Sequence, residues 1–193
     1  LDVNSPGGGT IGCVEASNAI FAARDKKEVV SVINPEAASA GYWLASQANR
    51  IVALQSGFVG SVGAEVDYRS LAGMMKEAGI DFAIIRSGVS PDKNLGHPME
   101  PISDRAKEYF QELCDYAAAS FIEHVARGRG VSEAKVIENY GQGRMLFGSQ
   151  ALKAGMIDSI GTLADELIVH ASTTGRTMAT RRPSAAADKD LFR

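Results

Sequence analysis

The sequence AASAGYW occupies residues 37–43, after a predicted strand at residues 29–33 and within the start of a predicted helix at residues 38–47. Ser39 falls at the N-terminal end of this helix, where the positive end of the helix dipole favours a developing negative charge. Its neighbours in the chain are small and leave room for an incoming carbonyl group. From this segment alone, we favour the interpretation that Ser39 caps the helix over the alternative that it is a nucleophile.

A glycine-rich turn, NSPGGG at residues 4–9, joins a strand pattern at residues 1–3 to a predicted helix at residues 10–23. Glycines allow backbone N–H groups to point into a cleft without obstruction by side chains, so such a turn can bind an anion. The spacing differs from that of the glycine motifs that bind nucleotide phosphates. A transient oxyanion is therefore the better candidate ligand, and a tight connection without a ligand is the alternative.

Strands and helices alternate through the first half of the chain. Further strands are predicted at residues 50–54 and 82–86, with a short extended piece at residues 57–66 and a helix at residues 68–78 between them. This alternation implies an α/β fold with a mostly parallel sheet and helical crossovers.

The second half of the chain is predicted to be mostly helical. We predict one domain at residues 1–171, and we expect part of that domain to precede Leu1. No apolar periodicity follows from Ser172 onward, so residues 172–193 are predicted to be a disordered tail or linker. Capping signals and apolar periodicity predict helices at residues 103–127, from Ser132, at residues 149–154 and at residues 162–170.

Composition limits the functions that the chain can have. It has 193 residues, 45% of them apolar and 22% charged, and a formal net charge of -3. This length suits one core, and the charge argues against nucleic acid or an anionic membrane surface as a partner. No apolar run is long enough to span a bilayer, so we expect a soluble polypeptide. Cys13 and Cys114 lack the spacing of zinc or redox sites, which predicts buried, reduced thiols and neither a metal nor a cofactor.

An activated serine needs a base, and the chain contains three histidines. His97 follows a glycine in a loop, His124 lies within the long predicted helix, and His170 is near the end of the last one. None of them has a placement that indicates a Ser-His-Asp triad. We interpret all three as ordinary structural residues.

A lysine is the remaining candidate for the base. An ordinary lysine titrates near 10.4, and lowering that value to about 7 requires about 4 kcal/mol, which burial in an apolar site can supply. Lys93 lies in a loop after a predicted core strand and is the best candidate. The lysines that fall on predicted helices, and are expected to be solvated, are Lys76, Lys107, Lys135 and Lys153.

Several motifs in a compatible order resemble those of peptidase family S49, the signal peptide peptidase A-like serine proteases, and most of all its phage head-maturation branch. The resemblance extends to about residue 170. Four residues separate Gly88 from Lys93, where the family usually has two, and Ala40 stands where the family often has glycine. The matching segments are NSPGG at residues 4–8, AASAGYW at 37–43, GSVG at 60–63, SG at 87–88 before Lys93, GSQA at 148–151 and GMID at 155–158.

The resemblance implies the crotonase/ClpP-like fold and a set of site residues. Ser39 would be the nucleophile and Lys93 the general base. The backbone N–H groups of Gly8 and Ala40 would form the oxyanion hole, and the Ser61 hydroxyl would orient the lysine amine. The glycine turn then has the oxyanion as its ligand, in agreement with the interpretation from the residues.

The same resemblance implies a serine endopeptidase that acts on a protein or peptide substrate. A phage protease would cut scaffold and capsid proteins inside a procapsid in the host cytoplasm, and the lack of an anchor in this chain favours that role. The alternative is a signal peptide peptidase, which would be membrane-anchored and extracytoplasmic if an anchor precedes Leu1. Two further alternatives are a crotonase-type acyl-CoA enzyme and a catalytically silent assembly protein.

A homo-oligomer is also implied by the resemblance. The predicted helix at residues 103–127 carries an apolar stripe that would serve either as core, which we favour, or as the surface between copies. The stripe consists of Phe110, Leu113, Tyr116, Phe121 and Val125.

Overall fold

The computed structural model describes residues 1–180 of the chain, with side chains for residues 1–172. Six strands, seven α-helices and a 3-10 turn at Gly141–Gly143 make up this described part. In chain order the strands and α-helices are β1 Asp2–Ser5, α1 Cys13–Ala23, β2 Val30–Ala38, α2 Ala40–Ala45, β3 Arg50–Ala53, β4 Phe58–Gly60, α3 Ala72–Glu77, α4 Asp104–Arg129, α5 Glu133–Asn139, β5 Met145–Phe147, α6 Gly148–Ala154, β6 Ser159–Ile160 and α7 Leu163–Thr180.

The strands form one sheet in the order β5-β4-β2-β3-β6, and β1 also pairs with β2. Every pairing is parallel except the one between β4 and β5. β2 is the longest strand, and it pairs with β3 through residues 30–33 and with β4 through residues 36–38. The predicted α/β class with a mostly parallel sheet is confirmed.

Helix α2 directly follows β2 and is buried against the core. The Tyr42 and Trp43 side chains are almost entirely inaccessible. The Trp43 indole stacks on Phe121 of α4 with ring centroids 4.7 Å apart, and the Tyr42 hydroxyl donates to the Met156 carbonyl oxygen at 2.8 Å. Because burial of a large apolar side chain contributes about 1.5–3 kcal/mol, these two residues fix the position of α2 firmly.

Helix α4 passes very close to the end of α2. A Cβ atom added at Gly128 would overlap the Ser46 carbonyl oxygen. Beside this contact, the Gln47 amide donates to the His124 carbonyl oxygen at 2.9 Å and accepts from Arg127 Nη2, also at 2.9 Å. The glycine permits the close approach, and the buried amide tethers the two helices to each other.

The two halves of α4 have different surroundings. In its C-terminal half, Phe121 and Val125 are buried in the core. In its N-terminal half, Leu113 is 44% exposed and Tyr116 is 78% exposed. The apolar stripe predicted on this helix is therefore core at one end and accessible surface at the other.

Residues 80–101, which we call the Lys93 segment, lie against the N-terminal half of α4. Arg86 donates to both carboxylate oxygens of Glu100, at 3.1 and 2.7 Å. Asp92 pairs with Arg105 of α4 at 2.6 Å, and Gly96 lies directly on the Phe110 ring. This segment is thus held by polar contacts and by one half-helix.

The strand predicted at residues 82–86 is wrong, because the structure has no strand there. Phe82 is 45% exposed and Ile85 is 96% exposed, and the Phe82 ring stacks on His97 with centroids 5.3 Å apart. A strand needs a neighbour for its backbone hydrogen bonds, and no other strand lies beside these residues. The short apolar run at residues 82–85 did not suffice to predict one.

The other predicted elements of the first half are present with shifted ends. β2 continues to Ala38, so α2 begins at Ala40 rather than at residue 38. The extended piece contains only the short strand β4, and α3 is shorter than predicted.

In the second half, the predicted helices are confirmed. Ser103 caps α4 by accepting from the Ala106 N–H, and Ser132 caps α5 by accepting from the Lys135 N–H. The short strands β5 and β6 were not predicted. Within the described residues, every helix is too short or too polar to cross a lipid bilayer.

Helix α7 extends to Thr180, beyond its predicted end at His170. The predicted boundary between a domain at residues 1–171 and a tail at residues 172–193 falls inside this helix, and the division into domain and tail stays a prediction. The remainder of the predicted tail, residues 181–193, lies outside the described residues.

The two cysteines are free thiols. Cys13 is buried as predicted, whereas Cys114 is only half-buried. Burial, and then the charge of Glu15, raises the pKa of the Cys13 thiol above its ordinary value. Since the thiolate is the reactive form, this shift makes Cys13 a poor nucleophile.

The close approach of α4 to α2 can be tested with Gly128→Ala. We expect the free energy of unfolding to fall by about 1–3 kcal/mol, because the new methyl group overlaps the Ser46 carbonyl and forces the helices apart. Gly73→Ala in α3 is the matched control, since nothing lies within 4 Å of a Cβ added there. Urea denaturation measures both, and equal unfolding free energies for the two variants would contradict the close contact.

Candidate active site

Ser39 lies in the sharp turn between β2 and α2, outside the regular part of either element. Its backbone has φ 49° and ψ -125°, in the positive-φ region that residues other than glycine seldom adopt. The Ser39 N–H donates to the Gly60 carbonyl oxygen at 2.8 Å, and the Ser39 carbonyl oxygen accepts from the Trp43 N–H at 3.0 Å. The serine is thus held in a costly conformation by the strand on one side and the helix on the other.

The glycine turn passes directly beside Ser39. A Cβ atom added at Gly7 would stand 2.6 Å from Ser39 Cβ and 3.2 Å from Ser39 Oγ. The backbone at Gly7 also has φ 99°, which disfavours any side chain. Glycine at this position therefore allows the first turn of the chain to pack against the serine.

A cavity of about 520 Å³ contains the predicted nucleophile. Ser39, Ser61 and Gly8 all line it, so three of the five predicted site residues are brought together. A fourth, Ala40, directly follows Ser39 in the chain. The complete lining consists of Pro6, Gly8, Thr10, Ser39, Ser61, Gly63, Ala64, Glu65, Asp67 and Gly143.

Two backbone N–H groups near Ser39 fit the predicted oxyanion hole. Ala40 is the first residue of α2, so its N–H has no acceptor within that helix. Gly8 has open space where a Cβ would stand, which leaves its backbone accessible from the cavity. The N–H of Ser39 itself is already donated to Gly60 and cannot serve as a donor.

Ser61 repeats the geometry of Ser39 on the neighbouring strand. It follows the end of β4, as Ser39 follows the end of β2, and it has φ 54°. Its N–H donates to the Arg144 carbonyl oxygen at 3.1 Å. Because β2 and β4 are parallel, these two serines leave the sheet at the same edge and line the same cavity.

Lys93 is not among the residues that line the cavity. It is exposed, its N–H donates to the Ser90 carbonyl oxygen at 3.1 Å, and its own carbonyl oxygen accepts from Arg86 Nε at 2.7 Å. The structure thus leaves the predicted base apart from the predicted nucleophile. No lysine, arginine or histidine lies among the described residues that line the cavity.

The competing candidates for the base also lie elsewhere. His124 is buried, and its Nδ1 is 2.6 Å from the Ser120 carbonyl oxygen. His97 accepts from the Met99 N–H at 3.2 Å and stacks on Phe82. The four lysines that were predicted to be helical are all on helices, namely Lys76 on α3, Lys107 on α4, Lys135 on α5 and Lys153 on α6.

Sequence reasoning missed the acidic side of the cavity. Glu65 and Asp67 follow Ser61 closely in the chain and line the cavity with it. Their closeness in sequence to the GSVG motif could have indicated that they lie near the site. A carboxylate in a loop, however, is hard to distinguish from an ordinary surface residue by sequence alone. Among the described residues, no group of histidine, cysteine or carboxylate side chains could hold a metal ion.

Several known proteins are similar to this chain. Residues 22–175 match the sequence profile of peptidase family S49. A putative protease of Methanocaldococcus jannaschii is 32% identical over 167 residues, which are 86% of this chain and 53% of that protein. The head-tail preconnector protein of Enterobacteria phage P21 is 30% identical over 172 residues, which are 89% of this chain and 34% of that protein.

A putative signal peptide peptidase of Enterococcus faecium is about as similar, at 29% identity over 170 residues, which are 86% of this chain and 48% of that protein. The chain therefore spans about half or less of the length of these curated relatives. Among solved structures, a membrane-bound stomatin-specific protease in complex with a substrate peptide matches with a TM-score of 0.51 and 20% identity. The match covers 86% of this chain and 61% of that one. This structural likeness agrees with the predicted crotonase/ClpP-like fold.

The packing of the glycine turn on Ser39 predicts that Gly7→Ala disables the serine. The new methyl group would overlap Ser39 Cβ, so we expect labelling of Ser39 by a fluorophosphonate reagent to slow by at least about tenfold, with the fold retained by circular dichroism. Gly9→Ala is the control, because nothing lies within 4 Å of a Cβ added there. Equal labelling rates for the two variants would contradict the proposed contact.

Proposed function

Because the chain belongs to peptidase family S49, we propose that it is a serine endopeptidase that cleaves peptide bonds through an acyl-enzyme. The observation that carries this proposal is the placement of Ser39. Ser39 lies in a strained turn and is flanked by small residues. It lines the same cavity as Gly8 and Ser61. A serine that only capped a helix would need neither the positive φ nor the close glycine turn.

In the proposed mechanism, the neutral amine of Lys93 removes the proton from Ser39 Oγ as that oxygen attacks the substrate carbonyl carbon. The N–H groups of Gly8 and Ala40 donate to the resulting oxyanion, and each donor of this kind contributes about 3 kcal/mol. The protonated lysine gives its proton to the leaving amine as the peptide bond breaks. The same lysine then takes a proton from the water that hydrolyses the acyl-enzyme.

This mechanism requires Lys93 to approach Ser39 to within hydrogen-bond distance, about 3 Å. We propose that the Lys93 segment moves to the cavity in the working enzyme. Its contacts with the rest of the chain include the exposed ion pair between Asp92 and Arg105, hydrogen bonds donated by Tyr68 and Leu71, and the packing of Gly96 on Phe110. An exposed ion pair of this kind contributes about 1 kcal/mol or less. A movement of the segment therefore leaves the buried packing of α2 and of the C-terminal half of α4 in place.

For the substrate, we propose scaffold or capsid proteins of a phage. The similarity to the head-tail preconnector protein of phage P21 supports this choice, and a procapsid in the host cytoplasm would then be the site of action. The similarity to a putative signal peptide peptidase supports signal peptides as the second candidate substrate. Cleavage of a purified scaffold protein, compared with that of a released signal peptide at equal concentration, separates the two.

The remaining alternatives are less well supported. A crotonase-type acyl-CoA enzyme shares the fold, but the match of residues 22–175 is to a peptidase family. A catalytically silent assembly protein would have no need to keep Ser39 in a costly backbone conformation inside an accessible cavity.

We also propose that the protein self-associates through the N-terminal half of α4. Leu113 and Tyr116 present apolar surface there without covering from the described residues. A second copy of the chain would bury this surface, and apolar area removed from water favours association. Because the C-terminal half of the same helix is buried in the core, the exposed half would be held in a fixed position for such an interface.

The dyad is tested by casein cleavage with Ser39→Ala and Lys93→Ala. We expect activity to fall at least about a thousandfold in both variants, because one lacks the nucleophile and the other the base. Lys107→Ala is the matched control, since Lys107 is an exposed helical lysine that pairs with Asp104. Full activity of Ser39→Ala would exclude the mechanism, and full activity of Lys93→Ala would move the base to another residue.

Self-association is tested by light scattering on the wild type and on the double variant Leu113→Ser/Tyr116→Ser. We expect an oligomer for the wild type and a shift toward monomer for the variant, because the polar side chains remove the apolar surface. Gln111→Ser, on the same exposed half of α4, is the control and should leave the oligomer intact. A monomeric wild type at micromolar concentration would contradict the interface.

A further inference from the structure

The cavity at Ser39 carries charge of one sign. Its only ionisable side chains among the described residues are the carboxylates of Glu65 and Asp67. The other lining residues are small, hydroxyl-bearing or glycine. The cavity is therefore acidic, although the chain as a whole is only weakly so, with a net charge of -3 over 193 residues.

Both carboxylates are available to a ligand. Glu65 and Asp67 are exposed, and neither forms an ion pair with a lysine or arginine of the described chain. In the Lys93 segment, by contrast, Glu100 is paired with Arg86, and Asp92 is paired with Arg105 of α4. The negative charge that Glu65 and Asp67 bring to the cavity of Ser39 is therefore not neutralised by a lysine or arginine of the described residues.

Their position relative to Ser39 determines which part of a substrate they meet. A cavity of about 520 Å³ has room for only a few residues of an extended peptide, because each residue advances the chain by about 3.3 Å. A peptide whose carbonyl group lies at Ser39 would thus pass Glu65 and Asp67 with a side chain close to the cleaved bond. Ser39, Gly8 and Ser61 define the site of the reaction, and the two carboxylates would influence which peptides bind there.

We infer that Glu65 and Asp67 select substrates with a lysine or arginine side chain within about three residues of the cleaved bond. This inference rests on the proposed peptidase function. The cationic head group would lie between or beside the two carboxylates as its aliphatic stem crosses the small lining residues. An acidic side chain at the same position would be repelled by both charges, which adds discrimination against the wrong substrate.

The test uses sets of fluorogenic peptides in which one position is lysine, norleucine or glutamate and the rest of the sequence is constant. One such set is made for each of the three positions on either side of the cleaved bond. Norleucine matches the stem of lysine without its charge. At one position we expect kcat/KM of the wild type to be about tenfold higher for lysine than for norleucine, and lower still for glutamate. This ratio should shrink as salt is raised.

The matched variants are Glu65→Gln and Asp67→Asn, singly and together, which remove charge and keep shape. We expect the double variant to lose the preference for lysine, so that its kcat/KM for the lysine peptide falls to about the value for the norleucine peptide. Glu77→Gln, on the exposed face of α3, removes the same charge away from the cavity and should keep the preference. Retention of the full lysine preference in the double variant would overturn the inference.

Two further outcomes would also overturn it. The wild type could cleave lysine and norleucine peptides equally at every position, or the double variant could lose activity on all peptides in equal proportion, which would indicate a role in catalysis rather than selection. Failure of the proposed function has a different signature, since the wild type would then cleave no peptide and Ser39 would not react with a fluorophosphonate reagent.

Discussion

The hydrogen bond from the Ser39 N–H to the Gly60 carbonyl oxygen is the interaction on which the site depends. It joins the end of β2 to the end of β4, so both parallel strands stop at the same level. Each is followed at once by a serine with positive φ, at Ser39 and at Ser61. The shared edge of a parallel sheet is where such residues meet. One main-chain contact thus places two hydroxyl groups in one cavity and leaves the next N–H, that of Ala40, at the start of a helix.

The strain of these two turns is offset by packing at a distance from the cavity. A residue held in an unfavourable backbone region costs about 1–3 kcal/mol. Helix α2, which begins immediately after Ser39, buries Tyr42 and Trp43 and is held by α4 through the close contact at Gly128. Relaxation of the turn would have to move this helix and break the stack of Trp43 on Phe121. The core therefore keeps Ser39 in place, as its proposed role as nucleophile requires.

Local order singled out Ser39 and the glycine turn, because each follows a strand, whereas the roles of Gly8, Ala40 and Ser61 were implied by the resemblance to the family. In the structure, Ser39, Gly8 and Ser61 line one cavity beside the sheet. The short strand β5 could not be predicted, because three residues show no periodicity, and it is the Arg144 carbonyl just before it that anchors Ser61. The strand predicted at residues 82–86 failed for a related reason: residues 82–85 are a real apolar run, but a strand depends on pairing with tertiary neighbours that the run does not reveal.

The proposed nucleophile and the proposed base differ in how firmly the structure holds them. The nucleophile and the oxyanion donors rest on the sheet edge and on buried helix α2, where any displacement costs core packing. Lys93 lies on a segment held from outside by an exposed ion pair to Arg105, by hydrogen bonds from Tyr68 and Leu71, and by packing on one half of α4. In the proposed mechanism, Ser39 therefore remains a weak nucleophile until that segment reaches it, because a serine hydroxyl without a base attacks poorly. In this proposal, a nucleophile that is already in place and a base that arrives later would confine cleavage to the state in which the Lys93 segment has reached the cavity.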